Sequence, residues 1–246
     1  MSQDVQSILV IYTGGTIGMT RDRDTGGLVP LDFDQVTRHV PELDHAGIEV
    51  EAVSFDTPID SSDVAPKHWR TLAQTIVECH DRFDGFVVLH GTDTMAYTAS
   101  ALSMMLVGFN KPIVITGSQL PLAFARSDAR QNLIDSLTVC CAAKSCGGDV
   151  DFAEVAICFG GKLLRGNRAQ KLSATVYTAF DSPSYPALAK LGVGVEWNYA
   201  RLLPPAERYE PIFELHPHVL CVHVIPGMDP ERSYGDLYGR GVRGII

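Results

Sequence analysis

Short runs of branched apolar residues alternate with helical patterns along most of this chain, and this alternation limits the possible folds more than any other feature. The runs have the length and side chains that are typical of buried strands. They cover residues 8–12, 48–55, 86–89, 113–116 and 155–159. Strands that alternate with helices form right-handed βαβ units. The sequence therefore predicts an α/β fold with a mostly parallel sheet and helices on both of its faces.

The segments between these runs carry helical patterns. From Pro66 onward, the apolar residues fall on one face at a spacing of about 3.6 residues. They are Trp69, Leu72, Ala73, Ile76 and Val77. Further helices are predicted over residues 33–40, 96–106 and 126–144.

The strand and helix pattern weakens after Val176, and this change indicates the domain organisation. Residues 197–217 contain four prolines, Pro204, Pro205, Pro211 and Pro217, which is typical of a connection between domains. New strands are predicted at 219–224 and 241–246. We therefore predict a catalytic domain over 1–196, a linker over 197–217, and the start of a small second α/β domain over 218–246, incomplete at its C-terminus.

Charge and cysteine content exclude several classes of protein. The net charge of −9 argues against a nucleic-acid partner or an anionic membrane, because both attract basic surfaces. No apolar stretch approaches the length of a membrane helix, and residues 1–7 lack the features of a signal peptide. The six cysteines form no C-x-x-C pair and have no metal-site spacing. Free thiols of this kind predict a reducing, cytoplasmic location.

Polar residues follow four predicted strands at the point where each strand ends. The segments are Thr13-Gly14-Gly15-Thr16-Ile17-Gly18, Asp60-Ser61-Ser62-Asp63, His90-Gly91-Thr92-Asp93-Thr94 and Thr116-Gly117-Ser118-Gln119. Ligands bind outside the carboxyl ends of the strands in an open parallel sheet. We therefore expect these hydroxyls, carboxylates and glycines to share one edge.

Each of these segments also has a simpler structural interpretation. The glycine-rich turn could cradle a phosphate, although no dinucleotide or P-loop pattern is present. Residues 60–63 could be a polar loop, and Thr92-Asp93 could cap a helix. His90 is best interpreted as a core histidine with both nitrogens bonded. Lys171, considered by itself, has the properties of a surface lysine.

Taken together, the set has a coherent chemistry. A threonine hydroxyl is a weak nucleophile and needs a positioned base. A lysine becomes a base only where its charged form is disfavoured, and an aspartate beside it can orient it. Lys171 follows the strand that ends at Phe159 and is predicted to reach the same edge.

Two motifs resemble the signatures of the L-asparaginase family. They are Tyr12-Thr13-Gly14-Gly15-Thr16-Ile17-Gly18-Met19 and His90-Gly91-Thr92-Asp93-Thr94-Met95-Ala96-Tyr97-Thr98-Ala99-Ser100. Residues 60–63 and Arg165-Gly166-Asn167-Arg168 resemble the cytoplasmic type I branch. The resemblance runs from about residue 7 to about residue 189 and continues more faintly to the end.

The resemblance implies hydrolysis of L-asparagine, with L-glutamine as a secondary substrate. Thr16 would attack the side-chain amide carbon, release ammonia and form an ester that water then hydrolyses. Thr92, Asp93 and Lys171 would handle the protons. Backbone N–H groups around Gly91-Thr92 are candidate oxyanion donors.

The resemblance also implies how the substrate is held and what the enzyme needs. Asp60, Ser61 and Ser62 would bind the α-carboxylate and α-ammonium groups, with Gly91, Thr92 and Asp93 completing the site. No metal or organic cofactor is expected. The implied assembly is a homodimer or homotetramer.

Two departures from the family pattern bear on activity. Many members carry a tyrosine in the mobile loop after the first motif, and Leu28 stands in that place here. The family also has a second domain that contributes to dimerisation and to a neighbouring subunit's site. We therefore expect the 246-residue chain to be impaired and a chain of full family length to be active.

Three alternatives remain open at this stage. The chain could be a catalytically inactive domain that binds an amide or depends on a partner. It could be the asparaginase-like subunit of a tRNA-dependent amidotransferase, although that subunit carries an extra domain before its first threonine motif. A nucleotide-binding protein is disfavoured, because no phosphate-loop lysine motif occurs.

Overall fold

One large sheet forms the centre of the first compact unit of this computed structural model, which describes residues 6–21, 28–30, 48–237 and 239–246. The strands of its parallel part are β1 (Gln6–Tyr12), β4 (Ile48–Ser54), β5 (Gly85–Leu89), β6 (Ile113–Thr116) and β7 (Val155–Phe159). Between β1 and β4 lie two short strands, β2 (Met19–Arg21) and β3 (Leu28–Pro30), which pair with each other. The order across the parallel part is β7-β6-β5-β1-β4. The prediction of an α/β fold with a mostly parallel sheet is confirmed.

The sheet ends in antiparallel strands that the sequence pattern did not predict. These are β8 (Lys162–Arg165), β11 (Ala189–Leu191) and β12 (Val195–Trp197), in the order β7-β8-β11-β12. The chain reverses between β7 and β8 at Gly160 and Gly161, both of which have positive φ. A pair of residues in this conformation makes a hairpin turn whose twist matches the flanking strands. Two further short strands, β9 (Gln170–Lys171) and β10 (Phe180–Asp181), pair with each other.

Among the described residues of this unit, three helices connect the parallel strands: α1 (Pro66–Glu78), α2 (Met95–Met105) and α3 (Ala129–Cys141). In α1, Pro66 opens the helix, where its missing N–H costs nothing, and Leu72, Ala73 and Ile76 face the interior. Helix α3 packs on the sheet face that carries Val87 and Val114. No helix among the described residues combines the length and apolar character that a membrane crossing needs.

The predicted helix over 126–144 is wrong at both ends, because α3 is shorter. At its start, the Asp128 carboxylate accepts hydrogen bonds from the N–H groups of Gln119 and Leu120, which fixes the preceding residues as a loop. At its end, Ala143 is extended and the N–H of Lys144 donates to the Val150 carbonyl. Tertiary hydrogen bonds therefore set both ends of the helix.

The chain divides into two compact units, Met1–Phe213 and Glu214–Ile246. In the second unit, β13 (Val219–Leu220) pairs in parallel with β14 (Gly244–Ile245), and α4 (Pro230–Tyr234) lies between them in sequence. The strands predicted at 219–224 and 241–246 are therefore shorter than expected. The domain boundaries 1–196, 197–217 and 218–246 remain a prediction.

Much of the segment predicted as a linker is docked on the first unit. The N–H groups of Glu210 and Ile212 donate to the carbonyls of Val107 and Met105, at 3.2 and 2.7 Å. The Tyr209 ring meets the Phe109 ring edge to face, with 5.5 Å between their centroids. The prolines therefore mark an extended segment that lies against the fold rather than a free connection.

Some predictions fall outside the described residues. The predicted helix over 33–40 lies outside them, as do residues 22–27 of the loop that follows the first motif. Leu28, which stands where many family members carry a tyrosine, is the first residue of β3 and pairs with Arg21. The effect on activity of lacking a tyrosine hydroxyl at this position stays a prediction.

A buried ion pair joins the antiparallel edge to the segment that follows it. The Arg165 guanidinium forms a two-point contact with Glu154, and their side chains are only 11% and 6% exposed. Glu154 also accepts from the N–H of Leu203 at 3.1 Å, and Arg165 donates to the Tyr185 hydroxyl at 2.9 Å. Removal of one partner would leave the other charge buried without compensation.

We expect Glu154→Ala to lower the free energy of unfolding by about 3–5 kcal/mol, because it leaves the Arg165 charge unpaired in the interior. The matched control is Asp151→Ala, which breaks the exposed Lys144–Asp151 pair and should cost less than about 1 kcal/mol. Urea unfolding of both variants measures the difference. Equal losses in the two variants would contradict the importance assigned to the buried pair.

Candidate active site

The loop that follows β1 carries Thr16 and is held in place by a hydrogen bond from the buried Tyr12 side chain. Thr16 begins a short 3-10 turn, Thr16–Gly18, directly after Gly15. The Tyr12 side chain is buried, and its hydroxyl donates to the Gly18 carbonyl at 3.2 Å. Burial raises the pKa of Tyr12 to about 12, so the hydroxyl stays a neutral donor at physiological pH. The last residue of the strand therefore fixes the turn that presents Thr16.

The loops after β1 and β5 touch through their backbones at two glycines. A Cβ atom at Gly15 would lie 2.4 Å from the Cα and N atoms of Gly91. A Cβ atom at Gly91 would in turn lie 2.6 Å from Cβ and Oγ of Ser61. Both distances are far below van der Waals contact, so only glycine permits this approach. The loops that carry Thr16, Ser61 and Thr92 are therefore packed together.

Residues 60–62 form the second part of the site, after β4. One carboxylate oxygen of Asp60 accepts from the N–H and the hydroxyl of Ser62, both at 2.9 Å. Both bonds lower the pKa of Asp60 below its ordinary value, and the bond from the Ser62 backbone has the larger effect. Ser61 is buried, and its carbonyl accepts from the Thr94 hydroxyl at 2.6 Å. The Asp60 carboxylate is therefore charged and lies at the surface of this loop. Ser61 connects the loop to the one after β5 through its bond with Thr94.

Thr92, Asp93 and Lys171 form the most clearly defined chemical group of the site. Nζ of Lys171 lies 2.8 Å from Oγ1 of Thr92 and 2.7 Å from Oδ1 of Asp93. The Lys171 side chain is 17% exposed, whereas that of Asp93 is 66% exposed. A largely buried lysine therefore bridges a threonine hydroxyl and a carboxylate that opens to solvent.

The sequence predicted that Lys171 follows the strand ending at Phe159 and reaches the same edge, but not by which path. In the structure, β8 first carries the chain back, antiparallel to β7. The turn Gly166–Arg168 then packs against α2, the helix that starts just after Asp93, and β9 delivers Lys171. The predicted position is right, but an antiparallel strand and a turn on α2 produce it.

The hydroxyls of the fourth polar segment, 116–119, are bonded within the fold. The Thr116 hydroxyl donates to the Cys158 carbonyl at 2.7 Å, and that of Ser118 donates to the Leu120 carbonyl at 2.6 Å. Asn132 was not identified from the sequence. Its amide bridges the ends of β6 and β7 by donating to the Gly117 carbonyl and accepting from the N–H of Gly160. The only sequence signal was a polar residue on a buried helical face.

His90 is buried at the end of β5, as its interpretation as a core histidine predicts. Nδ1 lies 2.7 Å from the Gly91 carbonyl oxygen, and Nε2 lies 2.9 Å from the Thr98 hydroxyl. Burial lowers the pKa of its imidazole, while the bond to Gly91 opposes this shift more weakly. The ring is therefore neutral and bonded at both nitrogens.

An open cleft of about 550 Å³ borders the Lys171–Asp93 pair. Its walls come from the first turns of α2 and from the segment between β8 and β9. They are lined by Asp93, Ala96, Tyr97, Ser100, Asn167, Ala169, Gln170 and Lys171. The pair therefore stands at the boundary between the packed loops and solvent, where a small polar molecule has access to it.

Comparison with known proteins identifies similar chains. The family model described as asparaginase, N-terminal, matches residues 7–203. L-asparaginase 1 of Escherichia coli K12 is 41% identical over 234 residues, which cover 92% of this chain and 65% of the relative. The chain thus spans less than two thirds of the length of that relative.

Two solved structures resemble this one along nearly the whole chain. L-asparaginase I from Vibrio cholerae has a TM-score of 0.81 and 34% identity, and the match covers 94% of this chain and 68% of the other. The thermostable L-asparaginase from Thermococcus kodakarensis has a TM-score of 0.83 and 32% identity, covering 98% of this chain and 70% of the other.

The contact between the two glycine loops makes a direct stability prediction. Gly15→Ala should lower the free energy of unfolding by at least about 2 kcal/mol, because it combines a positive φ with a clash against the Gly91 backbone. Gly192→Ala is the matched control, since no atom lies within 4 Å of a Cβ there, and it should stay within about 0.5 kcal/mol. Thermal and urea unfolding measure both. A well-tolerated Gly15→Ala would mean that the loops separate easily.

Proposed function

Since this chain belongs to the asparaginase family, we propose that it hydrolyses the side-chain amide of L-asparagine to L-aspartate and ammonia. The observation that carries the proposal is the contact of Lys171 Nζ with Thr92 Oγ1 and Asp93 Oδ1, at 2.8 and 2.7 Å. This arrangement supplies a proton route beside the packed loop of Thr16. L-glutamine, one methylene longer, is the proposed secondary substrate.

Thr16 is the proposed nucleophile of the first step. Its hydroxyl oxygen forms a bond to the amide carbon, and its proton leaves through the neighbouring groups. When the resulting tetrahedral species collapses, the C–N bond breaks, and the nitrogen takes up a proton and departs as ammonia. The product is a β-aspartyl ester of Thr16.

Thr92, Asp93 and Lys171 are the proposed groups that move the proton. An ammonium group at Lys171 donates hydrogen bonds to both partners. When Lys171 is neutral, the direction of the bond to Thr92 reverses, and Thr92 can pass a proton to the amine. Asp93 holds the amine in place and stabilises the charge that it gains. General base catalysis of this kind commonly contributes about 10²–10⁴-fold.

A water molecule completes the reaction in the second step. It attacks the ester carbon while the neutral Lys171–Thr92 pair accepts its proton, and the C–O bond to Thr16 breaks. The threonine oxygen recovers a proton, and aspartate leaves. The N–H groups of Gly91 and Thr92 are the proposed donors to the oxyanion that develops in both steps.

The loop 60–62 and Asp93 are proposed to hold the ends of the substrate. The Asp60 carboxylate stays charged, because its pKa is lowered by Ser62, and is therefore suited to an α-ammonium group. Ser61 and Ser62 offer hydroxyl and backbone donors to the α-carboxylate. Asp93, with its exposed carboxylate, is the second proposed contact of the α-ammonium group.

We also propose a cytoplasmic location and a homodimeric or homotetrameric assembly. All six cysteines are free, and burial raises the pKa of the Cys146 thiol to about 12, which keeps it unreactive. The exposed apolar side chains of Tyr97 and Met104 on α2, and of Val107 beyond it, support an assembly that covers them.

The test is ammonia release from L-asparagine by this chain, by a chain of full family length, and by variants of both, with activity expected in the longer form. Thr16→Ala should lose on the order of 10³-fold or more in kcat, because the nucleophile is gone. Lys171→Met should lose about 10²–10⁴-fold, because the base is removed while the side-chain volume is kept. Parallel assays with L-glutamine measure the preference between the two amides.

Lys144→Met is the matched control, because it removes an exposed ion-pair lysine outside the site. It should change kcat by less than about 5-fold. Turnover that survives Thr16→Ala would exclude Thr16 as the nucleophile. A control variant as damaged as Lys171→Met would show that the loss does not come from the proposed base.

A further inference from the structure

We infer that His90 is a positioning residue, which fixes the Gly91–Thr92 peptide group by donating a hydrogen bond to the Gly91 carbonyl. The inference rests on the proposed function, because the N–H of that peptide group is the proposed oxyanion donor of Thr92. In this inference, the buried His90 does not contact the substrate but orients the N–H group of Thr92.

The inference starts from an unbroken chain of hydrogen bonds behind the site. The indole N–H of Trp69 lies 2.9 Å from the Thr98 hydroxyl oxygen. That hydroxyl lies 2.9 Å from Nε2 of His90, and Nδ1 of His90 lies 2.7 Å from the Gly91 carbonyl oxygen. Helix α1, helix α2 and the end of β5 each contribute one side chain, so three elements converge on one carbonyl.

The chemistry of the two terminal groups fixes the direction of every proton in this chain. An indole N–H only donates, and a carbonyl oxygen only accepts. Nδ1 of His90 therefore carries the ring proton and donates it to Gly91, and in the neutral ring Nε2 is an unprotonated acceptor. Thr98 then donates its own proton to Nε2 and accepts from Trp69. The lowered pKa of the buried imidazole agrees with this neutral tautomer.

A fixed carbonyl at Gly91 fixes the N–H of Thr92, because both belong to one planar peptide group. The structure has no cis peptide bond among its described residues, so this N–H points away from the carbonyl and from His90. Rotation of the peptide plane would break the 2.7 Å bond to Nδ1. The imidazole thus resists the movement that would misdirect the donor.

The surroundings leave His90 no freedom to move with the loop. Its N–H donates to the Thr116 carbonyl at 2.8 Å within the sheet. On the neighbouring strand, a Cβ atom at Gly117 would lie 2.3 Å from the His90 carbonyl oxygen. The ring is therefore held by the sheet on its backbone side and by Thr98 on its far side, and it can act as a rigid support.

Two amide substitutions distinguish two possible roles of His90, namely orienting the Gly91–Thr92 peptide group and merely filling space in the core. His90→Asn places an amide nitrogen near the Nδ1 position and keeps a donor for Gly91. His90→Gln places an amide oxygen near the Nε2 position, which keeps the contact with Thr98 but leaves no donor for Gly91. The two variants are similar in polarity and burial, so each serves as the other's control.

For the wild-type chain and both variants, kcat and KM for L-asparagine are measured below the unfolding temperatures of all three. We expect kcat of His90→Gln to fall about 10–100-fold, less than the roughly 10²–10³-fold effect of losing an oxyanion donor completely. KM should change by less than about 3-fold, since the donor acts mainly in the transition state. His90→Asn should keep kcat within about 5-fold of the wild-type value, because a donor to Gly91 remains.

Nitrogen NMR of the wild-type chain tests the same inference without turnover. Nδ1 should have the signal of a protonated ring nitrogen, and Nε2 that of an unprotonated one. The Thr92 amide signal should shift in His90→Gln and much less in His90→Asn. A proton on Nε2 would overturn the inference, as would equal losses of kcat in the two variants or a Thr92 amide signal that neither variant shifts.

These measurements keep the two proposals distinguishable. If neither this chain nor a chain of full family length releases ammonia while the tautomer and the Thr92 shifts are as expected, the proposed function fails and the support of the peptide group stands. If the wild-type chain is active and both variants lose kcat equally at matched stability, the proposed function stands and the inference about His90 fails.

Discussion

The backbone contact between the loops after β1 and β5 is the constraint on which the rest of the site depends. Neighbouring parallel strands bring their carboxyl ends to the same edge, but side chains would normally keep the following loops apart. Glycine at positions 15 and 91 removes that spacing, and Ser61 closes the third side. Thr16 and Thr92 are thereby carried on turns whose separation is set by backbone atoms rather than by flexible side chains.

This constraint also explains how charge is distributed around the site. The deeper positions are occupied by neutral groups, namely Tyr12, His90 and Thr98, each bonded within the protein. The charged groups stand farther out, with Asp93 largely exposed and Lys171 at the boundary. Because burial disfavours charge, this gradient keeps the supporting groups neutral and confines proton exchange to the outer layer.

The parallel core was predictable from the sequence, as was the meeting of the loops that carry Thr16, Ser61 and Thr92 at one edge, because both features depend on local patterns. Buried strands need continuous apolar runs, and the polar residues after them share an edge for geometric reasons that hold for any such sheet. The antiparallel strands β8, β11 and β12 are too short to produce a clear pattern, although Gly160-Gly161 was a usable turn signal.

Other features depend on contacts between distant parts of the chain and were not predictable in the same way. The ends of α3 are set by Asp128 and by the Val150 carbonyl, whose partners are identified only once the chain is folded. The route of Lys171 depends on a turn that packs on α2. The burial of His90 was foreseen, but its alignment with Trp69 and Thr98 requires three elements to be in place.

The separation of Lys171 from Thr92 along the chain has a consequence for how the site assembles during folding. The two residues are 79 positions apart, and α2, β6, α3, β7 and β8 lie between them. Contacts over such a distance carry a large loop-closure cost and form only after the intervening elements have ordered. The proposed proton-handling group is therefore complete only once β9 has brought Lys171 back to Thr92.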